Sequence, residues 1–259
     1  MAEKRLKCHH QDPTLDDPIP QEYILYLVPS GPFRKALDTF WDESLRLCGR
    51  NKAHSSFPHI TLCDFFTCED WKVETLYSAL KITGDQTLST FPRQVTLSLY
   101  SSSSFIGFFL NEGQANIIRK FIDLFCKEVT KLADCTVKPV TKQLHLTLAH
   151  KFSPHHQGTL EHLAKSISPT QSCEWEAIIF SRDMRFVHYK TLRALFPFEP
   201  KNDDELSVSA GEVVFVDRTQ VSTATSGWIM AVSNTTGCRG LIPENYLENV
   251  ADTVTWIKH

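Results

Sequence analysis

The chain has 259 residues, which is enough for one large domain or two of ordinary size. Its composition, 42% hydrophobic and 22% charged, is typical of a soluble globular protein and excludes a chain that is disordered throughout. The net charge of −3 argues against a broad basic surface for long nucleic acids, but it permits a local site for a small phosphate ester.

The sequence predicts no membrane association. Residues 1–20 contain charges and prolines but no apolar segment of a signal peptide, and no apolar run is long enough to cross a bilayer. The eight cysteines form no C-x-x-C pair and fall mostly within apolar segments, which favours free, buried thiols in a reducing compartment. We therefore expect a cytosolic protein with a flexible leader over residues 1–20.

The first half of the chain alternates strand and helix patterns. Short apolar runs predict strands, and apolar residues at a spacing of three and four predict helices. The predicted elements are, in order, a strand at 23–28, a helix from Phe33 to Gly49, a strand around His59, a helix at 73–80, and strands at 94–100 and 105–110.

The second half repeats this plan. His59 and His145 lie 86 residues apart, as do Thr61 and Thr147. This regular offset, within a repeated frame of helices, predicts a duplicated α+β domain, although the residue identity outside the motifs is low. The predicted elements of the second half are a helix at 118–132, a strand with His145, a helix at 160–167 and a strand at 176–180.

Each half carries one His-x-Thr motif in an apolar strand, in the segments FPHITL and QLHLTL. Because strand side chains alternate between faces, each histidine shares a face with the threonine two residues later. Two imidazoles can act as base and acid near neutral pH, and two hydroxyls can hold the oxygens of a phosphate. The motifs therefore predict His59 and His145 as catalytic residues and Thr61 and Thr147 as phosphate-binding residues, in a reaction without a metal.

The histidines have two other interpretations, a packed core histidine bonded to backbone and a zinc ligand. If the strand continues, His145 and His150 face opposite ways, while His155 and His156 follow a proline in a loop. No recognisable zinc-ligand spacing is present, so we expect neither a metal nor another cofactor. The histidines available to a zinc site would be His54, His59, His145, His150, His155 and His156.

The paired motifs resemble those of the 2H phosphoesterases, in which two H-x-[ST] motifs lie some eighty residues apart. The resemblance covers residues 21–190 and implies a duplicated, two-lobed (LigT-like) fold. It also implies that the substrate is a 2′,3′-cyclic nucleotide or the cyclic phosphate of an RNA end, with one histidine activating water and the other protonating the departing ribose oxygen. Either histidine could take either role. Lys142, Arg50 and Lys52 lie near the motifs, where we expect solvated surface roles.

From residue 191 the pattern changes to short strands between acidic and Gly/Ser/Thr turns, which predicts a small all-β barrel over 191–251 and a tail over 252–259. The segments ALFPFEP, NDDEL and GLIPENY resemble, in order and spacing, those of a Src-homology-3 (SH3) domain. Such a domain binds polyproline II ligands in an aromatic groove beside acidic side chains. The resemblance implies a groove formed by Phe196, Phe198, Asp203, Asp204, Glu205, Trp228, Pro243, Asn245 and Tyr246.

The barrel departs from the usual SH3 pattern at one segment. ALFPF stands where ALYDY is usual, so two tyrosine hydroxyls and one carboxylate are missing. We expect an intact apolar groove with an unusual affinity or ligand choice. The alternative is a barrel that only packs against the first domain.

The combination of both domains resembles, along nearly the whole chain, the suppressor of T-cell receptor signalling (Sts or TULA) family. The segments FPHITLCDFF, KQLHLTLAHKF and SRDMRFVHY also carry this resemblance. It implies an SH3 adaptor in negative regulation of tyrosine-kinase signalling, with the ubiquitin ligase Cbl among its partners. Family members also carry ubiquitin-associated and histidine-phosphatase domains, which these 259 residues lack, so we expect no phosphatase function of this chain.

Two functions from different classes follow from the sequence. The first is a cyclic phosphodiesterase coupled to an adaptor that binds proline-rich ligands. The second is an adaptor whose His/Thr site binds a nucleotide without hydrolysing it. Because binding alone does not need two proton-transfer groups, the sequence favours the first. The expected location is the cytoplasm, and the sequence leaves the nucleus open as a second one.

Overall fold

The structure is a computed structural model that describes residues 19–219 and 227–259. The described residues form two compact units. The first unit consists of Gln21–Arg182 together with Thr255–His259, and the second consists of Asp183–Val254 together with the described residues before Gln21. Most of the predicted leader, residues 1–20, lies outside the described residues.

The first unit combines four α-helices with one large sheet. Its helices are α1 (Gly31–Cys48), α2 (Val73–Thr87), α3 (Glu112–Ala133) and α4 (Gln157–Lys165). The strands up to its boundary are β1 (Gln21–Pro29), β2 (Ile60–Thr61), β3 (Phe66–Thr67), β4 (Leu97–Ser101), β5 (Phe105–Leu110), β6 (His145–His150) and β7 (Trp175–Asp183).

Helix α3 shows why these segments form helices. The side chain of Asn111 accepts a hydrogen bond of 3.0 Å from the Gly113 N–H and so caps the N-terminus. Asp134 ends the helix in the left-handed conformation. Between them, apolar side chains at helical spacing are buried in the core of the first unit, where α3 packs on α2. The buried residues of α3 are Ala115, Ile118, Phe121, Ile122, Phe125, Cys126, Val129 and Ala133.

The sheet of the first unit has an internal twofold pattern. Its strands lie in the order β7-β1-β2-β6-β5-β4, and β3 pairs with β1. Each strand of the first repeat has a counterpart in the second: β1 corresponds to β5, β2 to β6 and β4 to β7. When the counterparts are exchanged, the strand order is the original order read from the other edge of the sheet. The two motif strands, β2 and β6, are therefore neighbours at the centre, and the last of these six strands on each side comes from the repeat that forms the opposite half. This is the duplicated arrangement that the offset of the motifs predicts.

The second unit is a small all-β fold. Its strands are β8 (Tyr189–Ala194), β9 (Val213–Asp217), β10 (Trp228–Ser233), β11 (Arg239–Pro243) and β12 (Leu247–Asn249). They form an antiparallel sheet in the order β11-β10-β9-β8-β12 around a separate apolar core. Gly240 is required here, because a Cβ at this position would lie 2.8 Å from the backbone of Glu205. The structure confirms the predicted fold class, an α+β domain followed by a small all-β barrel.

After the second unit, the chain returns to the first. The segment expected as a C-terminal tail contains strand β13 (Ile257–Lys258), which pairs antiparallel with β7 at the edge of the large sheet. The His259 N–H donates to the Ile179 carbonyl at 2.9 Å, and His259 Nε2 lies 2.8 Å from Ser181 Oγ. The first unit is therefore built from two segments of the chain that are separated by the barrel.

The cysteines correct one expectation. Free thiols were expected throughout, but Cys238 is disulfide-bonded. Among the described residues, the free cysteines are Cys48, Cys63, Cys68, Cys126, Cys135 and Cys173.

In the described part of the chain no helix is long and apolar enough to cross a membrane.

Candidate functional site

The pairing of β2 with β6 brings the two His-x-Thr motifs together. Ile60 and Leu146 are directly opposite in this antiparallel pair. One residue to either side, the same register sets His59 opposite Thr147 and Thr61 opposite His145. Directly opposite side chains share a face, with Cβ atoms about 5 Å apart. The four predicted residues therefore form one compact square on a single face of the sheet.

The register also identifies the neighbours of this square. Tyr26 of β1 pairs with Thr61, and Phe109 of β5 pairs with His145. Gly107 of β5 pairs with Thr147, and a Cβ on Gly107 would lie 2.6 Å from the Leu146 carbonyl oxygen. Aromatic rings thus flank one row of the square, while the other row ends at a glycine that permits close approach of the backbone.

Both imidazoles are oriented by the same local hydrogen bond. His59 Nδ1 donates to the Phe57 carbonyl oxygen at 2.7 Å, and His145 Nδ1 donates to the Gln143 carbonyl oxygen, also at 2.7 Å. Because a carbonyl oxygen only accepts, each Nδ1 must carry the hydrogen. In the neutral ring, Nε2 is then the unprotonated nitrogen. Each half of the duplicated domain therefore presents an Nε2 atom that can take or give a proton.

The environment of His59 holds it in the neutral form. Its ring centroid lies 3.9 Å from that of Tyr26 and 5.2 Å from that of Phe57. Burial lowers the pKa of His59 from its usual 6.5 to about 4. The hydrogen bond to Phe57 opposes this change, and the nearby His145 adds to it. His59 is therefore neutral near pH 7 and suited to act as a base.

The lowered pKa predicts a pH dependence of stability. Between pH 6.5 and 4 the unfolded chain protonates its histidine while folded His59 stays neutral, so stability should fall as the pH is lowered through this window. The total loss attributable to His59 should approach about 3 kcal/mol. We expect NMR titration to give a pKa near 4 for His59, and urea unfolding of a His59→Gln variant to show a shallower pH slope. A His59 titration near pH 6.5 would contradict this prediction.

A small cavity of about 160 Å³ opens beside the square. His59 and Thr147 contribute to its wall, whereas Thr61 and His145 do not. Its other lining residues include two aromatic rings and a lysine, which suit a ligand that has both a ring and a negative charge. The lining residues are Trp41, Lys52, Ala53, Ser56, Phe57, His59, Thr147 and His150.

His54, which the sequence offered as a metal ligand, has a structural role instead. Its Nδ1 accepts from the Asn51 N–H at 3.1 Å, and its Nε2 lies 3.1 Å from both the Trp41 carbonyl oxygen and Ser44 Oγ. Asn51 Oδ1 in turn accepts from the His150 N–H at 3.3 Å and so ties this segment to β6. Across residues 19–219 and 227–259, no group of three or more His, Cys, Asp or Glu is placed to hold a metal ion.

The sequence did not identify the neighbours of the square as residues of the candidate site. Tyr26 and Phe57 were assigned only to apolar patterns, His150 was considered only as a zinc ligand, and Lys52 was expected to have a solvated surface role near the motifs. The alternation of β1 could have indicated that Tyr26 shares a face with the motifs, but only the strand order shows that β1 lies beside β2.

The predicted aromatic groove of the barrel is formed by adjacent rings. Phe198 lies 5.7 Å from Trp228 and 5.9 Å from Tyr246, and Phe196 lies 5.6 Å from Tyr246, all measured between ring centroids. Pro243 pairs directly with Trp228 across β10 and β11. Phe196 is 55% exposed, so the groove presents apolar surface to solvent.

The polar residues assigned to the groove divide into two groups. Asp203, Asp204 and Asn245 are exposed. Glu205 instead accepts hydrogen bonds from the backbone N–H of Lys201 at 2.6 Å and from the side chain of Asn202 at 2.7 Å, and these bonds lower its pKa. Glu205 therefore stabilises its own loop, which leaves the two aspartates as the acidic side chains open to a ligand.

Comparisons with known proteins match the barrel and also the chain as a whole. A family model described as Variant SH3 domain matches residues 194–248. Ubiquitin-associated and SH3 domain-containing protein A of Mus musculus is 59% identical over 254 residues, which cover 98% of this chain and 41% of that protein. Protein B of the same species is 46% identical over 254 residues, which cover 98% of this chain and 40% of that protein.

A more distant relative has a different name. Ecdysteroid-phosphate phosphatase of Drosophila melanogaster is 31% identical over 292 residues, which cover 100% of this chain and 39% of that protein. The chain thus spans about two fifths of the length of the relatives it matches. Over nearly its whole length the chain is similar to ubiquitin-associated and SH3 domain-containing proteins, which are close homologues at 46–59% identity.

Proposed function

We propose that the first unit hydrolyses 2′,3′-cyclic phosphodiesters, of a nucleotide or of an RNA end, with His59 and His145 as base and acid. The observation that carries this proposal is the register of β2 and β6, which sets each histidine opposite the threonine of the other motif. The matching Nδ1 hydrogen bonds support it, because they leave both Nε2 atoms for proton transfer.

The steps follow from the protonation states. Neutral His59 takes a proton from water through Nε2 as the water oxygen forms a bond to phosphorus. The bond from phosphorus to one ribose oxygen breaks, and protonated His145 gives its proton to that oxygen. The Thr61 and Thr147 hydroxyls donate to the two non-bridging oxygens, where negative charge increases in the transition state. The product is a nucleoside 2′- or 3′-monophosphate, and the two histidines end in exchanged protonation states.

A substrate screen tests this proposal. The four 2′,3′-cyclic nucleotides would be incubated with the chain in the presence of a chelator, and chromatography would identify the product and the position of its phosphate. We expect turnover that the chelator does not abolish. If all four stay intact while a cyclic nucleotide still binds, the alternative of a nucleotide-binding adaptor without catalysis is favoured.

We further propose that the barrel binds proline-rich ligands and so makes the chain an adaptor. The adjacent rings of Phe196, Phe198, Trp228 and Tyr246 support this, because a polyproline II ridge packs between such rings. Asp203 and Asp204 would meet a basic ligand side chain. By family resemblance we extend the proposal to the ubiquitin ligase Cbl as a partner and to negative regulation of tyrosine-kinase signalling.

Replacing Trp228 should abolish most of this binding. Trp228→Ala removes a ring that contacts Phe198 and pairs with Pro243, so we expect proline-rich peptides to bind about 30-fold more weakly. Titration of labelled peptides measures the change, with circular dichroism to verify folding. Trp71→Ala serves as the matched control, since Trp71 is 77% exposed and lies in the other unit. Equal affinities of the two variants would rule out the groove.

A further inference from the structure

Three lysines surround His150 beside the catalytic cavity. Lys52 lines the cavity together with His150, and Lys151 directly follows His150 at the end of β6. Burial lowers the pKa of His150, and the nearby charges of Lys151, Lys52, His145 and Lys142 lower it further. The three lysines are exposed, and among the described residues none of them forms an ion pair with a carboxylate. This side of the cavity is therefore cationic in a chain of net charge −3.

The backbone around His150 and Lys151 is fixed. Lys151 has a φ of +53°, in the left-handed region that residues with side chains seldom adopt. Its N–H donates to the Ser104 carbonyl oxygen at 2.9 Å, and the His150 N–H donates to Asn51 Oδ1 at 3.3 Å. Asn51 also caps the short helix Lys52–Ser55. One hydrogen-bonded cluster therefore positions both the turn that carries Lys151 and the helix that carries Lys52.

These cations are additional to what one phosphate requires. The square of His59, Thr61, His145 and Thr147 already supplies two proton-transfer groups and two donors to a single phosphate. Lysine binds phosphate as a compact charge with three donors, and neighbouring cations reinforce one another through their summed potential. The lysine cluster is thus placed for a second anionic group on the same ligand.

We propose that Lys52, His150 and Lys151, with Lys142, form a second phosphate-binding subsite beside the catalytic square. It takes the phosphate on the 5′ side of the ribose that carries the cyclic phosphate. The inference rests on the proposed function for the position of the first phosphate. Its consequence is a preference for ligands with two phosphates, either a terminal 5′-phosphate or the internal diester of an RNA chain, over a cyclic mononucleotide with one.

Binding of product-like ligands tests the subsite separately from catalysis. The probes are uridine 3′-monophosphate, uridine 3′,5′-bisphosphate and the dinucleotide UpUp, titrated calorimetrically into the whole chain at low salt. We expect the bisphosphate and UpUp to bind about tenfold more tightly than the monophosphate, and the advantage to shrink when salt is raised to about 0.5 M. If only the bisphosphate binds more tightly than the monophosphate, the ligand of the subsite is a terminal 5′-phosphate. If the bisphosphate and UpUp gain equally in affinity, the subsite also takes the internal diester of an RNA end.

Charge-removing variants decide whether the lysines are responsible. The double variant Lys52→Gln/Lys151→Gln should bind the bisphosphate about as tightly as the monophosphate. The control variant Lys120→Gln/Lys127→Gln, which removes two exposed charges from α3, should keep the tenfold preference for the bisphosphate. The subsite is overturned if the wild-type chain binds the monophosphate and the bisphosphate equally, or if the first variant keeps the advantage. Because no turnover is measured, this result is independent of whether cyclic nucleotides are hydrolysed.

Discussion

Replacing either of the two imidazoles that we propose as base and acid should reduce kcat/KM for 2′,3′-cyclic nucleotides by on the order of 10²-fold or more. In the proposed reaction, His59→Ala removes the neutral ring that accepts the proton of water, and His145→Ala removes the ring that protonates the departing ribose oxygen. The double variant should lose little more than either single variant, because the two groups act in one step. Steady-state rates with the preferred cyclic nucleotide measure these effects.

The controls for this prediction use histidines outside the square. His162→Ala removes an exposed imidazole from α4 and should keep wild-type rates. His54→Ala should lower stability, because His54 bonds to Asn51, Ser44 and Trp41, and so it cannot serve as a neutral control. Wild-type turnover by the His59→Ala/His145→Ala variant would refute the proposed reaction.

The pH profile separates the roles of the two histidines. If His59 is the base, kcat/KM should fall toward acid with an apparent pKa near 4, well below that of an ordinary histidine. His59→Gln should abolish this limb of the profile together with most of the activity. An acid limb well above pH 4 would contradict the role of His59 as the base.

Removing residues 255–259 should destabilise the first unit although these residues follow the barrel in sequence. The Trp256 ring stacks on Tyr26 at 6.1 Å between centroids, and the Arg182 guanidinium lies 3.6 Å from the Phe65 ring and 5.7 Å from that of Trp256. The loss of β13 and these contacts should lower the free energy of unfolding by about 3 kcal/mol, measured by urea denaturation. Turnover should fall as well, because Tyr26 packs on His59.

Point variants separate the aromatic contact from the strand. Trp256→Ala should account for most of the loss and Trp256→Phe for much less, whereas Ile257→Ala, at a side chain that is 53% exposed, should have little effect. Binding of proline-rich peptides by the barrel should survive the truncation, since the removed residues belong to the first unit. An unchanged urea midpoint in the truncated chain would show that the segment does not stabilise the first unit.

Local patterns were sufficient to predict several features of this chain. Alternation in FPHITL and QLHLTL predicted that each histidine shares a face with its threonine, and the offset of 86 residues predicted the duplicated domain that the sheet order displays. The spacing of the barrel segments identified the aromatic groove. These signals are local because alternation and helical spacing follow from the backbone of a single element.

Only the tertiary structure decided what surrounds the site. The hydrogen-bond ladders between β1, β2, β5 and β6 placed Tyr26 and Phe109 beside the square. In the barrel, the fold of the loop over 201–205 placed the Glu205 carboxylate where it accepts hydrogen bonds from Lys201 and Asn202.

The sequence by itself thus predicted which side chains form the two candidate sites: two histidines, two threonines and a set of aromatic rings in a barrel. Tertiary structure decided the pairing of the two motifs, the cationic side of the cavity and the return of β13 to the first sheet. The physical reason is that these arrangements depend on which strands share hydrogen bonds. Strand partners separated by some eighty residues leave no periodic signal in the segments that form them.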